Sequence, residues 1–179
     1  MRLFIAIDFP ETIKRSLSGI SFELVRQADA GRMVPAENFH ITLAFIGETD
    51  RMRDIEKVMA AVCGSGVVAA PPLRLALRGV GSFKGQRGHT WWVGIGENTG
   101  LSRLADSLAA ELRAEGFAIE KRAFKPHITI GRGVVTSRPV DLALLEPAGL
   151  ECEAASVSLM RSDHKNGRQV YSELFACDL

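Results

Sequence analysis

Two nearly identical tetrapeptides constrain this chain more than any other feature: His40-Ile41-Thr42-Leu43 and His127-Ile128-Thr129-Ile130. Each contains a His, an aliphatic residue, a Thr and a second aliphatic residue, and together they use two of the four His in the chain. Side chains two residues apart on a β-strand point to the same face. Each tetrapeptide is therefore predicted to be a strand with an imidazole and a hydroxyl on one face and aliphatic side chains in the core.

The segments that precede the two tetrapeptides also resemble each other. An apolar strand, an amphipathic helix and an extended segment lead to each His, so that His40 follows Phe4 by 36 positions and His127 follows Trp92 by 35. Matched spacing of this kind indicates a weak internal duplication. We expect residues 1–179 to form a single domain of two lobes, whose His-x-Thr faces meet across a shared cleft.

Helical and strand periodicities indicate the remaining elements. The first helix is expected to begin after an N-cap at Asp8. Residues 94–100 are expected to form a strand-to-helix turn, because their third Gly falls one place too late for a dinucleotide-binding loop. Residues 28–31 and 79–81 are expected to be loops, and Asn166-Gly167 a hairpin turn.

Charge is nearly balanced overall but uneven along the chain. Lys and Arg number 22 and Asp and Glu 21, so the net charge of +1 produces no strong global field toward nucleic acid or membrane. One group of cations surrounds the second His-x-Thr, and another includes Arg161, His164, Lys165 and Arg168. Each group is either a solvated surface or a local anion site.

The cysteines and the apolar segments bear on the compartment. Three widely spaced Cys without a CxxC pair argue against a disulfide framework or a Cys-based zinc site and favour a reducing compartment. Asp8 and Pro10 come too early for a signal peptide, and no apolar run approaches the ~20 residues of a membrane span. We expect a cytoplasmic protein.

Two imidazoles that flank one phosphate can perform both proton transfers of an in-line displacement. One takes a proton from the attacking oxygen while the other gives a proton to the leaving oxygen, and Thr hydroxyls donate to the non-bridging oxygens. This chemistry requires no metal. Two alternatives stay open: a His on a strand is often only structural, and the pair can serve zinc, although the chain has no HExxH motif.

Several segments carry a resemblance to a known family. They are MRLFIAIDFP at residues 1–10, ENFHITL at 37–43, FIG at 45–47, GVGSF at 79–83, WVG at 92–94 and FKPHITIGR at 124–132. Together they resemble the RNA 2′,3′-cyclic phosphodiesterases, also called 2′-5′ RNA ligases, of the two-histidine phosphoesterase superfamily. The doubled H-x-T is the defining motif of that superfamily, and the resemblance extends from the first residue to the last predicted strand.

The resemblance implies an α+β fold of two pseudo-symmetric lobes, with antiparallel sheets flanked by helices and an active-site cleft between the lobes. It implies hydrolysis of a terminal 2′,3′-cyclic phosphate on RNA to a 2′-phosphate, with reversible 2′-5′ ligation as an associated activity. By the family pattern, His40 is the proton donor to the leaving 3′ oxygen and His127 is the proton acceptor that activates water. Thr42 and Thr129 hold the phosphate. No metal or other cofactor is implied.

Arg132 is a further candidate, for substrate binding. It has a frequent counterpart in the family, but strand parity directs it away from His127 unless a bulge or a strand end intervenes. His89 and His164 are expected to be solvent-exposed. Three aromatic residues that are able to stack on bases are instead expected in the core: Phe9, Phe45 and Trp92.

The expected partner is RNA with a 2′,3′-cyclic phosphate end, tRNA fragments among the sources of such ends. The chain is expected to act as a monomer and away from membranes. Its near-neutral charge predicts modest, end-focused affinity for RNA. Two other functions remain open: an esterase of the same superfamily that acts on small cyclic nucleotides, and a non-catalytic module that binds RNA ends.

Overall fold

Nine strands and three α-helices make up the described part of the chain, which in this computed structural model comprises residues 1–69, 71–165 and 167–179. The strands are β1 (Arg2–Asp8), β2 (Ala30–Met33), β3 (His40–Glu48), β4 (Leu73–Gly85), β5 (Gly88–Ile95), β6 (His127–Val135), β7 (Glu151–Ala154), β8 (Ser156–Lys165) and β9 (Arg168–Asp178). The helices are α1 (Glu11–Arg26), α2 (Met52–Cys63) and α3 (Thr99–Ala114). Within these ranges, no helix is both long and apolar enough to cross a bilayer.

All nine strands belong to one antiparallel sheet, which confirms the predicted α+β class. The strand order is β7-β4-β5-β6-β3-β1-β8-β9, and β2 pairs with β6 beside this path. The two His-x-Thr strands, β3 and β6, are therefore neighbours at the centre, with three further strands on the outer side of each. The two His-x-Thr strands thus meet along one seam, here called the β3–β6 seam.

Aliphatic side chains of the central strands and the apolar faces of the helices form the core. α1 packs on β6 and β2, α3 packs on β3, and α2 packs against α3 and β9. The predicted stripe of α3 is fully buried and consists of Leu101, Leu104, Leu108 and Leu112. Full burial of one such side chain contributes about 1.5–3 kcal/mol, so this stripe fixes α3 against the sheet.

The N-termini of α1 and α3 differ in whether a side chain caps them. Asn98 caps α3, with its Oδ1 accepting from the amide of Leu101 at 2.8 Å, and the strand-to-helix turn predicted there is confirmed. The cap predicted at Asp8 is wrong, because Asp8 ends β1 and its carboxylate accepts from Lys14 Nζ at 2.8 Å. Lys14 is buried, and a buried ammonium requires an anionic partner.

Two predicted loops are partly or wholly strand. Residues 30 and 31 belong to β2, which pairs with β6, and residues 79–81 lie inside β4. Gly81 is required there because a Cβ atom would lie 2.5 Å from the Trp92 ring. Asn166 of the predicted hairpin turn lies outside the described residues, but Lys165 pairs with Arg168 on either side of it.

Candidate active site

The seam between β3 and β6 places the two motifs side by side in one sheet. Ile41 pairs with Ile128 in antiparallel register, so His40 lies across from Thr129 and Thr42 lies across from His127. The two imidazoles are then diagonal neighbours on one face, and such neighbouring residues lie about 7–8 Å apart in antiparallel strands.

Alternation along each strand separates chemistry from core. In β3, His40 and Thr42 are half-buried whereas Ile41 and Leu43 are buried. β6 repeats this pattern of burial over its first seven positions. Both imidazoles and both hydroxyls therefore lie on the open face of the sheet, as the alternation in the sequence predicts.

Each imidazole is oriented by a backbone carbonyl two residues earlier. Nδ1 of His40 donates to the carbonyl oxygen of Asn38 at 2.8 Å, and Nδ1 of His127 donates to that of Lys125 at 2.7 Å. A carbonyl only accepts, so the proton of each neutral ring is on Nδ1 and the lone pair is on Nε2. Nε2 of each ring is thus the nitrogen available to exchange protons with a substrate.

His40 lies in an aromatic environment that strongly alters its acidity. Its ring contacts Phe4 at 4.9 Å and Tyr171 at 5.1 Å, and its Nε2 accepts from the hydroxyl of Thr42 at 3.0 Å. Burial lowers the pKa of His40 from 6.5 to about 4, and the nearby charge of Arg132 lowers this pKa as well. The unliganded chain therefore holds His40 neutral at neutral pH.

His127 has a matching pair of aromatic neighbours. Its ring lies 5.2 Å from Phe83 and 6.3 Å from Trp92. Trp92 comes from β5, the strand beside β6, just as Phe4 comes from β1, the strand beside β3. The pseudo-symmetry therefore extends beyond the motifs to the side chains that hold the imidazoles.

Equivalent β-bulges follow the two motifs. Ile5 and Ala6 of β1 pair with Ala44 and Thr42, which leaves Leu43 as an extra residue in β3. In the same way, Trp92 and Trp91 of β5 pair with Thr129 and Gly131, which leaves Ile130 as an extra residue in β6. Each bulge reverses the strand parity beyond it.

The bulges bring one further side chain from each strand to the open face. The two residues of each bulge are buried, and the residues that follow, Phe45 and Arg132, are exposed and line the same cleft as His40. Arg132 therefore reaches the site because a bulge reverses the strand parity before it. A bulge is one of the two conditions under which the sequence allows Arg132 to lie on this face. Phe45 is 48% exposed, so its predicted place in the core is wrong.

A cleft of about 1120 Å³ opens on the His40 side of the seam. Its walls come from β1, β2, residues 34–38, β3, Arg132 of β6 and the β8–β9 hairpin. His40, Thr42 and Arg132 line it, whereas His127 and Thr129 lie on the other flank. The site is thus asymmetric in shape although its motifs are alike.

The remaining candidates from the sequence have mixed outcomes. His89 and His164 are exposed, as predicted, and His164 lines the cleft. Phe9 is buried as predicted, and Trp92 is only half-buried. The contact of Tyr171 with His40 was missed, and its one available signal is that it is the only Tyr in the chain.

Metal ligation finds no support in the side-chain arrangement of the described residues. Among them, no group of three or more His, Cys, Asp and Glu side chains is placed to hold a metal ion. The three cysteines are free, with Cys63 buried and Cys152 and Cys177 half-buried.

Sequence comparison relates the chain to a known family. A sequence profile of the 2′-5′ RNA ligase superfamily matches residues 10–166. The RNA 2′,3′-cyclic phosphodiesterase of Thermotoga maritima is 36% identical over 133 residues, which cover 74% of this chain and 70% of that protein. The protein of the same name from Escherichia coli is 30% identical over 177 residues, which cover 97% of this chain and 93% of its own.

Solved structures share the whole architecture. A protein of Thermus thermophilus superposes with a TM-score of 0.78 at 28% identity, over 100% of this chain and 98% of that one. LigT of Escherichia coli, solved in complex with 3′-AMP, superposes with a TM-score of 0.76 at 26% identity, over 99% of this chain and 97% of its own.

Proposed function

The chain belongs to the 2′-5′ RNA ligase superfamily and is an RNA 2′,3′-cyclic phosphodiesterase, and we propose that it opens the terminal cyclic phosphate to a 2′-phosphomonoester by paired acid–base catalysis. The observation that carries this proposal is the pairing of β3 with β6, which brings the two motifs together. Two imidazoles lie on one face, each with Nδ1 held by a backbone carbonyl and Nε2 directed away from it. His40 and His127 are the proposed catalytic pair.

The proposed reaction is a single in-line displacement at phosphorus. Nε2 of His127 accepts a proton from water as the water oxygen forms a bond to phosphorus. The bond between phosphorus and O3′ breaks on the opposite side, and Nε2 of His40 gives its proton to O3′. The product carries a 2′-phosphate and a 3′-hydroxyl, and each proton transfer contributes about 10²–10⁴-fold.

His40 has to acquire its proton before it can act as the donor. Its pKa of about 4 in the unliganded chain leaves Nε2 without a proton at neutral pH. A cyclic phosphate carries one negative charge, and an anion next to an imidazole raises its pKa. We propose that the substrate itself brings His40 into the protonated state.

Three other side chains complete the proposed phosphate site. Thr42 already bonds Nε2 of His40, and Thr129 lies across the seam from His40, so both hydroxyls face the space between the rings. The guanidinium of Arg132 lies near enough to His40 to lower its pKa. These donors favour the oxygens of phosphorus as charge accumulates there.

The same displacement is proposed to join RNA ends through a 2′-5′ bond, and its reversal to cleave that bond. A 5′-hydroxyl or other ribose hydroxyl takes the place of water, and the bond between phosphorus and the 2′ oxygen is retained. Both directions are proposed to be independent of metal, because the two imidazoles supply both proton transfers. The cellular setting is proposed to be a cytoplasmic monomer that acts on RNA ends such as those of tRNA fragments, with residues 1–179 forming one two-lobed domain.

The decisive experiment is turnover of an oligonucleotide that ends in a 2′,3′-cyclic phosphate. His40→Ala and His127→Ala should each lower kcat by at least about 10²-fold, while EDTA leaves the wild-type rate unchanged. His89→Ala, which removes an exposed imidazole outside the cleft, is the matched control. The position of the phosphate in the product is read by phosphorus NMR. Full activity in either catalytic variant would refute the assignment.

A further inference from the structure

The cleft beside His40 carries far more positive charge than one phosphate requires. Five of the 22 Lys and Arg residues line it, against one of the 21 Asp and Glu residues, Glu37. The five are Arg2, Arg32, Arg132, Lys165 and Arg168. None of the five joins an ion pair within the described ranges, so the cleft carries an excess of cations over anions in a chain whose net charge is only +1.

The sheet places four of these cations opposite each other. Arg32 of β2 pairs with Arg132 of β6, and Lys165 of β8 pairs with Arg168 of β9. Like charges directly across a strand pair are destabilising. Two such pairs that face one cleft are therefore unfavourable in the free chain, and an anion bound at each pair relieves the repulsion.

Distance separates the two pairs in function. Arg132 acts on His40 and is near the reacting phosphate. Arg168 lies three residues before Tyr171, the residue that contacts His40, and three residues of strand span roughly 10 Å. The backbone of Lys165 and Arg168 is thus displaced along the hairpin from the imidazoles by about a Debye length, a position that suits a second phosphate better than the one at the imidazoles.

The direction of the reaction decides what occupies this part of the cleft. Water attacks from the His127 side, so the leaving O3′, and the ribose to which it belongs, lie on the His40 side. The RNA that precedes this ribose has to leave by the same side. The cationic cleft lies on the His40 flank, whereas His127 and Thr129 do not line it.

We propose that Lys165 and Arg168, here called the basic wall, bind phosphates of the nucleotides that precede the cyclic end. The preferred substrate is then an oligonucleotide several residues long, and a cyclic mononucleotide is a poor substitute. This inference rests on the proposed function for the side of the site on which the RNA lies. The presence of the cations in the cleft does not depend on that function. It also departs from the end-focused affinity that the net charge predicts.

The test compares an RNA octamer that ends in a 2′,3′-cyclic phosphate with the cyclic mononucleotide of the same base. The wild-type kcat/KM should be higher for the octamer and should fall more steeply with salt from about 50 to 200 mM, by a log–log slope of about −0.7 for each extra phosphate contacted. The double variant Lys165→Gln/Arg168→Gln should lower the octamer-to-mononucleotide ratio about tenfold and make the octamer's slope shallower by about 1.

A matched control removes the same charge elsewhere. Arg53→Gln/Lys57→Gln takes two exposed cations from α2, outside the cleft, and should keep the wild-type ratio and slope. The wall variant should unfold no more easily than the wild type, because the substitution relieves a repulsion. Thermal unfolding of both double variants therefore separates lost binding from lost folding.

A binding measurement distinguishes failure of the inference from failure of the proposed function. Fluorescence anisotropy with an octamer that ends in a 2′-phosphate reports the same salt slope without turnover. Equal slopes in the wild type and the wall variant would overturn the basic wall, and so would competition by a nucleoside triphosphate as strong as that by the octamer. Wall-dependent binding by a chain that hydrolyses neither substrate would support the wall and refute the proposed function.

Discussion

Replacement of His40 by Gln should remove part of the chain's loss of stability in acid. The unfolded chain binds a proton at this residue with a pKa of 6.5, whereas burial holds the pKa in the folded chain at about 4. Between these values the unfolded state binds more protons than the folded state, so the free energy of unfolding falls as pH falls. Above pH 6.5 His40 therefore causes no loss of stability, and below about pH 4 the loss that it causes is complete.

The size of the effect follows from the two pKa values. At about 1.4 kcal/mol for each pH unit, their separation corresponds to about 3 kcal/mol. This is a large share of the ~5–15 kcal/mol that stabilises a typical domain. Gln has no proton to gain in this range, and its amide can donate to the carbonyl of Asn38 in place of Nδ1.

The measurement is urea unfolding at pH 7.5 and at pH 4, followed by tryptophan fluorescence. Carboxylates titrate over the same range, so the informative quantity is the difference between wild type and His40→Gln at each pH. That difference should shift by about 3 kcal/mol in favour of the variant on going to pH 4. His164→Gln, which removes an exposed imidazole, should follow the wild type. Parallel loss of stability in His40→Gln and wild type, within about 0.5 kcal/mol, would contradict the buried, neutral state of His40.

Three further outcomes are expected. Sulfate binding at about pH 5.5 should take up protons, since an anion raises the pKa of His40, and calorimetry in two buffers of different ionisation enthalpy should detect the uptake in wild type but not in His40→Gln. Gly81→Ala should cost about 1–3 kcal/mol because its Cβ would overlap the Trp92 ring, whereas Gly19→Ala, on open helix surface, should raise the melting temperature; equal melting temperatures would argue against the overlap. Asn98→Ala should cost about 1 kcal/mol in chemical unfolding through loss of the α3 cap, and an unchanged midpoint would show that the cap contributes nothing.

Periodicity was sufficient to predict the parts of the site that depend on alternation alone. His40 and Thr42 share a face because strand side chains repeat every two residues, and the same rule applies to His127 and Thr129. The duplication predicts that the two His-x-Thr faces meet across a cleft, but it does not predict that the strands pair side by side in one sheet through Ile41 and Ile128. The local sequence is therefore sufficient to predict both imidazoles and the face of the sheet on which they lie.

The sequence did not reveal the features that depend on partner strands. The extra residues Leu43 and Ile130 look like ordinary aliphatic strand positions, and only their pairing with β1 and β5 identifies them as bulges. For this reason Phe45 was expected in the core, although it is exposed. The depressed pKa of His40 likewise arises from burial that neighbouring elements create, among them the β9 residue Tyr171.

Because of the bulges, the two halves of the molecule place different side chains on the open face beyond their His-x-Thr motifs. A phosphate between two identical half-sites would have two equally good ways to lie, related by rotation about the axis between β3 and β6. Phe45 and Arg132 are counterparts in this sense, and one offers an aromatic face where the other offers a guanidinium. In the proposed reaction this difference gives the nucleotide one preferred orientation, and that orientation determines which imidazole meets the water and which meets the ribose.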